Sequence, residues 1–305
     1  MFNKSLYPIS TVAELTGIKT ITLRAWERRY GFLNPCRSEK GRRLYSQKDV
    51  EKINAVKQLL NQGIAISHAV EKINTENSTD IENGEHEGVW QQYQHTILEA
   101  ITNFDEKLLD DAYHDVTGLY PIDLVTQNLI IPLLYRLGEK WEAREGSIAE
   151  EHFFSAYLRN KLGARFHHQN RLNQGTPVII AGLPGDNHEF GILLFALSML
   201  NRKMRVLLLG PNLPLRELRY TLHKINASIV VLAGSHDIAI KKLIRELSEL
   251  KQDCQISIAI GGQIAEKYSD EILNSGLHPL VGDLSSTIDE IENIITDTKN
   301  KGTQL

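Results

Sequence analysis

Three groups of residues have types and spacings that could do chemistry. The first lies in the stretch Gly182-Leu183-Pro184-Gly185-Asp186-Asn187-His188-Glu189-Phe190-Gly191 and reads Asp186-x-His188-x-x-Gly191. A histidine is a good transition-metal ligand, and a carboxylate two positions away can hold its other ring nitrogen and raise its basicity. Gly191 lets backbone or ligand pass closely at a helix start. Taken alone, an Asp-x-His in a loop reads more readily as a surface accident than as a metal site. The second group is Trp141 with Glu151 and His152, an indole followed by a carboxylate and an imidazole. Its bland reading is a core tryptophan with two surface polar residues. The third is cationic. Arg24 and Arg28 stand at i and i+4, with Thr22 and Arg29 nearby, and Arg37, Lys40, Arg42 and Arg43 follow. Such residues suit base edges and phosphates, and the bland reading for any one of them is a solvated charge.

The elements that must position the cationic group are short helices. Residues 9–17 read as a helix ending at Gly17, and Thr20 can cap a second helix over 21–30 that Gly31 closes. Two helices joined by a tight Gly-containing turn form a helix-turn-helix. Leu23, Trp26 and Tyr30, at i, i+3 and i+7, are the expected buried stripe, which leaves the arginines on another face. Two short extended arms around Gly41 would form a β-wing that carries Arg37, Lys40, Arg42 and Arg43 to phosphates at the duplex edge.

Beyond the head, residues 76–88 are polar and acidic, a linker composition. Residues 89–172 show helical periodicity and read as a small, four-helix-type bundle, with Ser147-x-x-Glu150 as a capping box that places Glu151 and His152 in the first turns of a helix. From 173 to 300 the character changes. Apolar runs at 178–180, 206–209, 229–232 and 256–260 alternate with amphipathic stretches, which argues for a Rossmann-like (flavodoxin-like), doubly wound parallel sheet. Residues 301–305 form a tail. The fold class is thus multidomain α and α/β: a winged helix-turn-helix head over 1–75, a bundle and a Rossmann-like domain. In such a sheet, ligands bind outside the carboxyl ends of the strands, and both the Asp186 loop and Gly261-Gly262 follow strands there. The glycine pair would give a side-chain-free floor for a large planar ligand. Neither GxGxxG nor a Walker loop is present, so dinucleotide and nucleoside-triphosphate sites lose support.

Charge separates head from body. Residues 1–75 hold 13 Lys and Arg against 6 Asp and Glu, a balance of +7, while the remainder holds 21 against 32, a balance of −11. A basic head on an acidic body points to a head that meets nucleic acid. Mean hydropathy is −0.26, and no run approaches the ~18 apolar residues of a spanning helix. Without a secretory signal the chain is expected to be cytoplasmic, with no membrane partner. Cys36 and Cys254 form no CxxC pair, which excludes a disulfide scaffold and a thiolate zinc site as organising features.

The motifs carry two resemblances. Thr22-Leu23-Arg24-x-Trp26-Glu27-Arg28-Arg29-Tyr30-Gly31, then Pro35-x-Arg37, then Gly41-x-Arg43-x-Tyr45, resemble the winged head of the MerR family of transcriptional regulators over residues 7–73. That resemblance implies dimers on near-palindromic promoter DNA, with Tyr45 added to the DNA-binding set. The Asp186-x-His188-x-x-Gly191 loop, Gly210-Pro211-Asn212-x-Pro214 and Gly261-Gly262 resemble the cobalamin-binding fold, which implies His188 as the lower ligand of cobalt. That fold often has Ser-x-Leu after the third strand, beside the cofactor's nucleotide tail. This chain reads Ala233-Gly234-Ser235-His236, so either Ser235 substitutes by a shift or the tail is held more weakly.

Head, bundle and cobalamin fold in this order resemble the CarH/LitR group of cobalamin-dependent photoreceptor regulators. By that resemblance Trp141 covers the adenosyl group of adenosylcobalamin, with Glu151 and His152 contacting it. Light-sensing members can carry a histidine directly after that tryptophan. Here the residue is Glu142, which leaves a bis-histidine light product without its usual ligand. The implied function is a DNA-binding regulator, a repressor switched by adenosylcobalamin and light through a changed homo-oligomer (dimer or tetramer). An enzyme is disfavoured, because no residues remain for a substrate barrel. The alternative is a MerR-type regulator whose cofactor-free body serves as a protein-interaction module.

Overall fold

The computed structural model describes residues 6–74, 88–143, 147–235 and 239–302, with only the backbone described at 141, 142 and 298–302. The expected linker falls almost entirely outside these residues. The chain divides into two compact units, Met1–Ser155 and Ala156–Leu305.

The first unit begins with β1 (Leu6–Pro8), α1 (Ile9–Thr16) and α2 (Thr20–Tyr30). Gly17 and Gly31 take left-handed conformations, φ 70° and 59°, and each returns its N–H to the helix it ends. A side chain with Cβ would strain both turns, which is why glycine closes each helix. Thr20 is the first helical residue rather than the cap. Lys19 holds the cap position, without a side-chain capping hydrogen bond. The wing forms from β2 (Cys36–Arg37) and β3 (Arg43–Ser46), paired antiparallel with Arg37 opposite Arg43 and turning at Gly41, φ 73°. β1 joins the other side of β3, making a three-stranded sheet in the order β1-β3-β2. Next come α3 (Gln47–Asn61) and α4 (Ile66–Asn74). α3 starts at a reciprocal cap: the Ser46 hydroxyl accepts from Asp49 N–H at 3.3 Å, and Ser46 N–H donates to the Asp49 carboxylate at 2.7 Å.

The bundle helices are α5 (Val89–Thr102), α6 (Glu106–Leu119), a run made of α7 (Ile122–Val125), a π-helical turn (Thr126–Ile130) and α8 (Ile131–Glu142), then α9 (Ile148–Asn170), in which the boundary between the units falls. The π turn has a local cause. Pro132 has no N–H to give to the Asn128 carbonyl four residues back, and Gln94 of α5 supplies the donor instead, at 3.1 Å. Asp105 caps α6 by accepting from Leu108 N–H at 2.9 Å.

In the second unit β4 (Val178–Gly182), α10 (Glu189–Asn201), β5 (Val206–Gly210), α11 (Leu215–Lys224), β6 (Ile229–Ala233), α12 (Ile240–Cys254), β7 (Ile258–Gly261), α13 (Gln263–Lys267), α14 (Ser269–Asn274), β8 (His278–Pro279) and α15 (Leu284–Gly302) build a wholly parallel sheet in the order β5-β4-β6-β7-β8. The two-residue β8 lacks any apolar run and was not expected from the sequence. Every residue of β4 is buried, because helices cover both faces of a doubly wound sheet. One side of the core gathers Ile179, Ala181, Val230, Leu232, Ile258 and Ile260 from the strands against Leu243, Leu247 and Leu250 of α12. Strand order reverses between β4 and β6. Loops leaving those two strands part there, which opens the crevice where open α/β sheets bind ligands.

Candidate functional sites

The crevice at the ends of β4 and β6 holds a finished cluster. Asp186, 3% exposed, sits four residues beyond β4. One of its carboxylate oxygens accepts from His188 N–H at 2.9 Å and faces His188 Nδ1 at 2.8 Å. The other accepts from the Ser235 backbone N–H and, at 2.8 Å, from the Ser235 hydroxyl. Ser235 Oγ also lies 2.7 Å from His188 Nδ1. Burial alone would push the Asp186 carboxyl up. The hydrogen bonds from His188 and Ser235 outweigh it and hold the group below the ordinary aspartate value, so it is ionised. An ionised acceptor at Nδ1 orients the imidazole, and ligation of a metal then falls to Nε2. The His188 side chain is 61% exposed, at the N-cap of α10.

Around this cluster the backbone runs tightly packed. A Cβ at Gly234 would stand 2.5 Å from Ile264 Cδ1 and 2.7 Å from Leu183 Cδ1. One at Gly262, φ 82°, would stand 2.5 Å from the Gly234 carbonyl oxygen. Gly262 thus needs to be glycine for backbone reasons, while a Cβ at Gly261 would meet only ordinary contact with Leu280, 3.8 Å away. At Gly191 a Cβ would meet nothing within 4 Å, so that position is open rather than crowded. Asn212, itself at φ 51°, accepts from Gly185 N–H at 2.7 Å and so ties the Asp186 loop to the turn after β5.

The donor set fits a corrin better than a bare ion. A cobalt already held by ring nitrogens needs one imidazole from the protein, and one oriented imidazole is what the loop presents. Among the described residues no three His, Cys, Asp or Glu side chains gather to cage a metal ion.

Glu151 ends the first turn of α9 and His152 begins the second, and Ser147 caps the helix by accepting from Ala149 N–H at 3.1 Å; Glu151 is half-buried and His152 exposed. They belong to the first unit and the Asp186 cluster to the second. The side chain of Trp141 lies outside the described residues.

In the head, Leu23 and Trp26 are fully buried and Tyr30 half-buried. Arg24, Arg28, Arg37, Lys40 and Arg42 are exposed. The remaining members of the expected DNA-binding set are placed differently. Thr22 is 3% exposed, because it precedes Trp26 by four residues and shares its buried face; the expectation that it faces outward is corrected. Tyr45 is fully buried, and its hydroxyl donates to Glu27 at 3.1 Å, so its reading as a DNA contact is corrected to a core residue. Burial, and then the Glu27 carboxylate, push that phenol up to about 12. Arg43 donates from Nε to both Glu27 oxygens, at 3.0 and 3.1 Å, and Arg29 donates to Asp115 at 2.9 Å. Both guanidiniums are spoken for within the unit rather than simply displayed. A groove of about 310 Å³ between the end of α2 and the wing is lined by Glu27, Arg37 and Arg43 among others. The sequence alone singled out neither Glu27 nor Asp115 as an anchor, since an acid that partners an arginine far along the chain leaves no local signature.

Two family models match stretches of the chain. Residues 7–76 match the model of the MerR HTH family regulatory proteins, and residues 93–165 match that of the B12 binding domain. The chain therefore joins a MerR-type, DNA-binding helix-turn-helix head to a B12-binding domain. Two relatives from Myxococcus xanthus run nearly its whole length. The HTH-type transcriptional repressor CarH is 27% identical over 289 residues, covering 91% of this chain and 95% of its own. The HTH-type transcriptional repressor CarA is 28% identical over 273 residues, covering 88% and 90%. Among solved structures, the Methanosarcina barkeri monomethylamine corrinoid protein shares the fold, with a TM-score of 0.51 at 18% identity over 65% of this chain and 96% of that one. Among the described residues no helix is long and apolar enough to cross a membrane.

Proposed function

We propose that this protein is a transcriptional repressor that binds adenosylcobalamin and releases DNA on illumination through a change in self-association. The single observation that carries the cofactor reading is the Asp186–His188–Ser235 cluster at the β4/β6 crevice, a histidine oriented for ligation by a buried, ionised carboxylate. His188 would take the lower position on cobalt through Nε2, with Asp186 holding Nδ1. Ser235 serves that pair, and Gly191, Gly261 and Gly262 line the remainder of the site. By the resemblance set out above, Trp141, Glu151 and His152 contact the adenosyl group. When bound, adenosylcobalamin supplies a cobalt–carbon bond that light cleaves.

The head occupies 1–75, a linker 76–88, the bundle 89–172 and the cobalamin domain 173–300, and the protein works in the cytoplasm. Arg24 and Arg28 read base edges, and Arg37, Arg42 and Arg43 meet phosphates. Dimers or tetramers formed in the dark set several heads at palindrome spacing and gain operator affinity by effective concentration, without a new base contact. The repressor reading is supported by the names of the two long relatives, and the light step by the resemblance to the photoreceptor group.

An absorption spectrum of the protein with adenosylcobalamin in the dark tests the cofactor step. A histidine-ligated spectrum that His188→Ala abolishes is expected, and a spectrum indifferent to the protein rejects the reading. Size-exclusion chromatography of the loaded protein before and after illumination tests the switch. An elution volume that responds to neither cofactor nor light rejects it.

A further inference from the structure

Within the first unit the recognition helix does not stand alone. Trp26 and Arg29, at i and i+3 on one face of α2, meet Asp115 and Leu119, at i and i+4 on one face of α6. Leu119 is the last residue of α6, so its carbonyl has no partner within the helix, and the buried Trp26 Nε1–H donates to it at 2.6 Å. Arg29 Nη2 donates to one oxygen of Asp115 at 2.9 Å, while the half-buried Tyr93 of α5 donates its hydroxyl to the other at 2.5 Å. Asp115 is thereby clamped from the bundle side and turned toward the head. The two contacts differ in kind. The indole is sealed from water, whereas the Arg29 and Asp115 side chains are 48% and 39% exposed, within reach of solvent and salt. A partly exposed ion pair is weak and reversible. Arg29 also sits beside Arg28, one turn beyond Arg24 on the same helix, where a phosphate would bid for the same guanidinium.

We infer that Asp115, fixed by Tyr93, is a positioning residue that competes with DNA phosphate for Arg29 and so holds the recognition helix against the bundle. The carboxylate stands in for the phosphate when DNA is absent. Freed from it, Arg29 adds one phosphate contact, while Trp26 still ties α2 to α6. This inference rests on the reading of α2 as the DNA-recognition helix.

The test uses the full chain and a mixed-sequence DNA duplex, with affinity followed by fluorescence anisotropy across a salt series. One added phosphate contact steepens the slope of log affinity against log salt by about 0.9. Asp115→Asn is expected to show that steeper slope and to bind up to about eightfold more tightly at 0.1 M salt, the factor such a slope gives relative to 1 M. Tyr93→Phe should give a smaller gain in the same direction. Adding Arg29→Ala to Asp115→Asn should return both affinity and slope to the wild-type values. An Asp115→Asn protein with unchanged slope and affinity no tighter than wild type, while Arg24→Ala still weakens binding, overturns the inference and leaves the recognition helix in place. If Arg24→Ala has no effect either, the reading of α2 fails and takes the inference with it. Unchanged far-ultraviolet circular dichroism and an unchanged denaturant midpoint in the variants show that the fold is kept.

Discussion

The head and the β4/β6 crevice solve opposite electrostatic problems. In the crevice, a single buried carboxylate collects hydrogen bonds from two residues, Asp186 from His188 and Ser235, and all of them serve one exposed imidazole. In the head, positive charge is abundant and partly restrained: Glu27 holds Arg43, and Asp115 holds Arg29, while Arg24 and Arg28 remain exposed. The crevice is preorganised by backbone and burial, which suits a ligand that needs one fixed donor. The head keeps its cations on partners that an anion can displace, which suits a ligand bound through many exchangeable phosphate contacts. A site for one strong bond is built rigid, and a site for many weak ones is built with reserves.

The comparison can be broken at its stiffest points. Trp26→Ala removes a fully buried indole and its hydrogen bond to Leu119 and should cost the first unit about 3–5 kcal/mol. Denaturant unfolding of the full chain checks this. A loss near zero would mean that the recognition helix does not depend on its buried face. Gly262→Ala forces a Cβ against the Gly234 carbonyl at φ 82° and should cost about 1–3 kcal/mol through strain, read as a lower midpoint for the second unit. Gly261→Ala beside it should be nearly silent, because only Leu280 lies near, and equal losses would contradict the packing described.

Asp186→Ala leaves donors of Ser235 and His188 without their acceptor and should cost about 1–3 kcal/mol. Its pH dependence has a definite sign. The folded carboxyl titrates below its unfolded value of about 3.9, so its stabilisation is complete above that value and is lost as pH falls through the folded one. Wild type should therefore lose stability on acidification below about pH 4 more steeply than Asp186→Asn does. Parallel curves for the two proteins would show that Asp186 does not carry the difference.

In the head, Arg24→Ala should cost about 1–3 kcal/mol of operator affinity and relax preference at one base pair. Arg43→Ala should weaken all sequences alike and by less, since Glu27 already shares its guanidinium. A footprint unchanged by Arg24→Ala, or a sequence-selective loss from Arg43→Ala, would reverse the assigned roles.

Much of this was legible along the chain because its signals are local. Gly17 and Gly31 mark helix ends by the conformation that only glycine adopts cheaply, and Leu23 and Trp26 mark a buried face by helical spacing. The four apolar runs become β4 to β7 because alternation with amphipathic helices leaves a parallel sheet as the way to bury them. The pair Asp186 and His188 is local as well, two residues apart, so its chemistry could be read before its surroundings were known.

What the sequence could not determine is which distant group reaches each local one. Ser235 completes the crevice from 49 residues beyond Asp186, because the strand order places the ends of β4 and β6 side by side. Asp115 reaches Arg29 across 86 residues, and Glu27 reaches Arg43 and Tyr45 across a turn and a wing. Thr22 and Tyr45 fell on the wrong side of the surface for the same reason. A residue's spacing fixes the face it shares with its neighbours, but only the packing of other elements decides whether that face meets water, DNA or the protein's own interior.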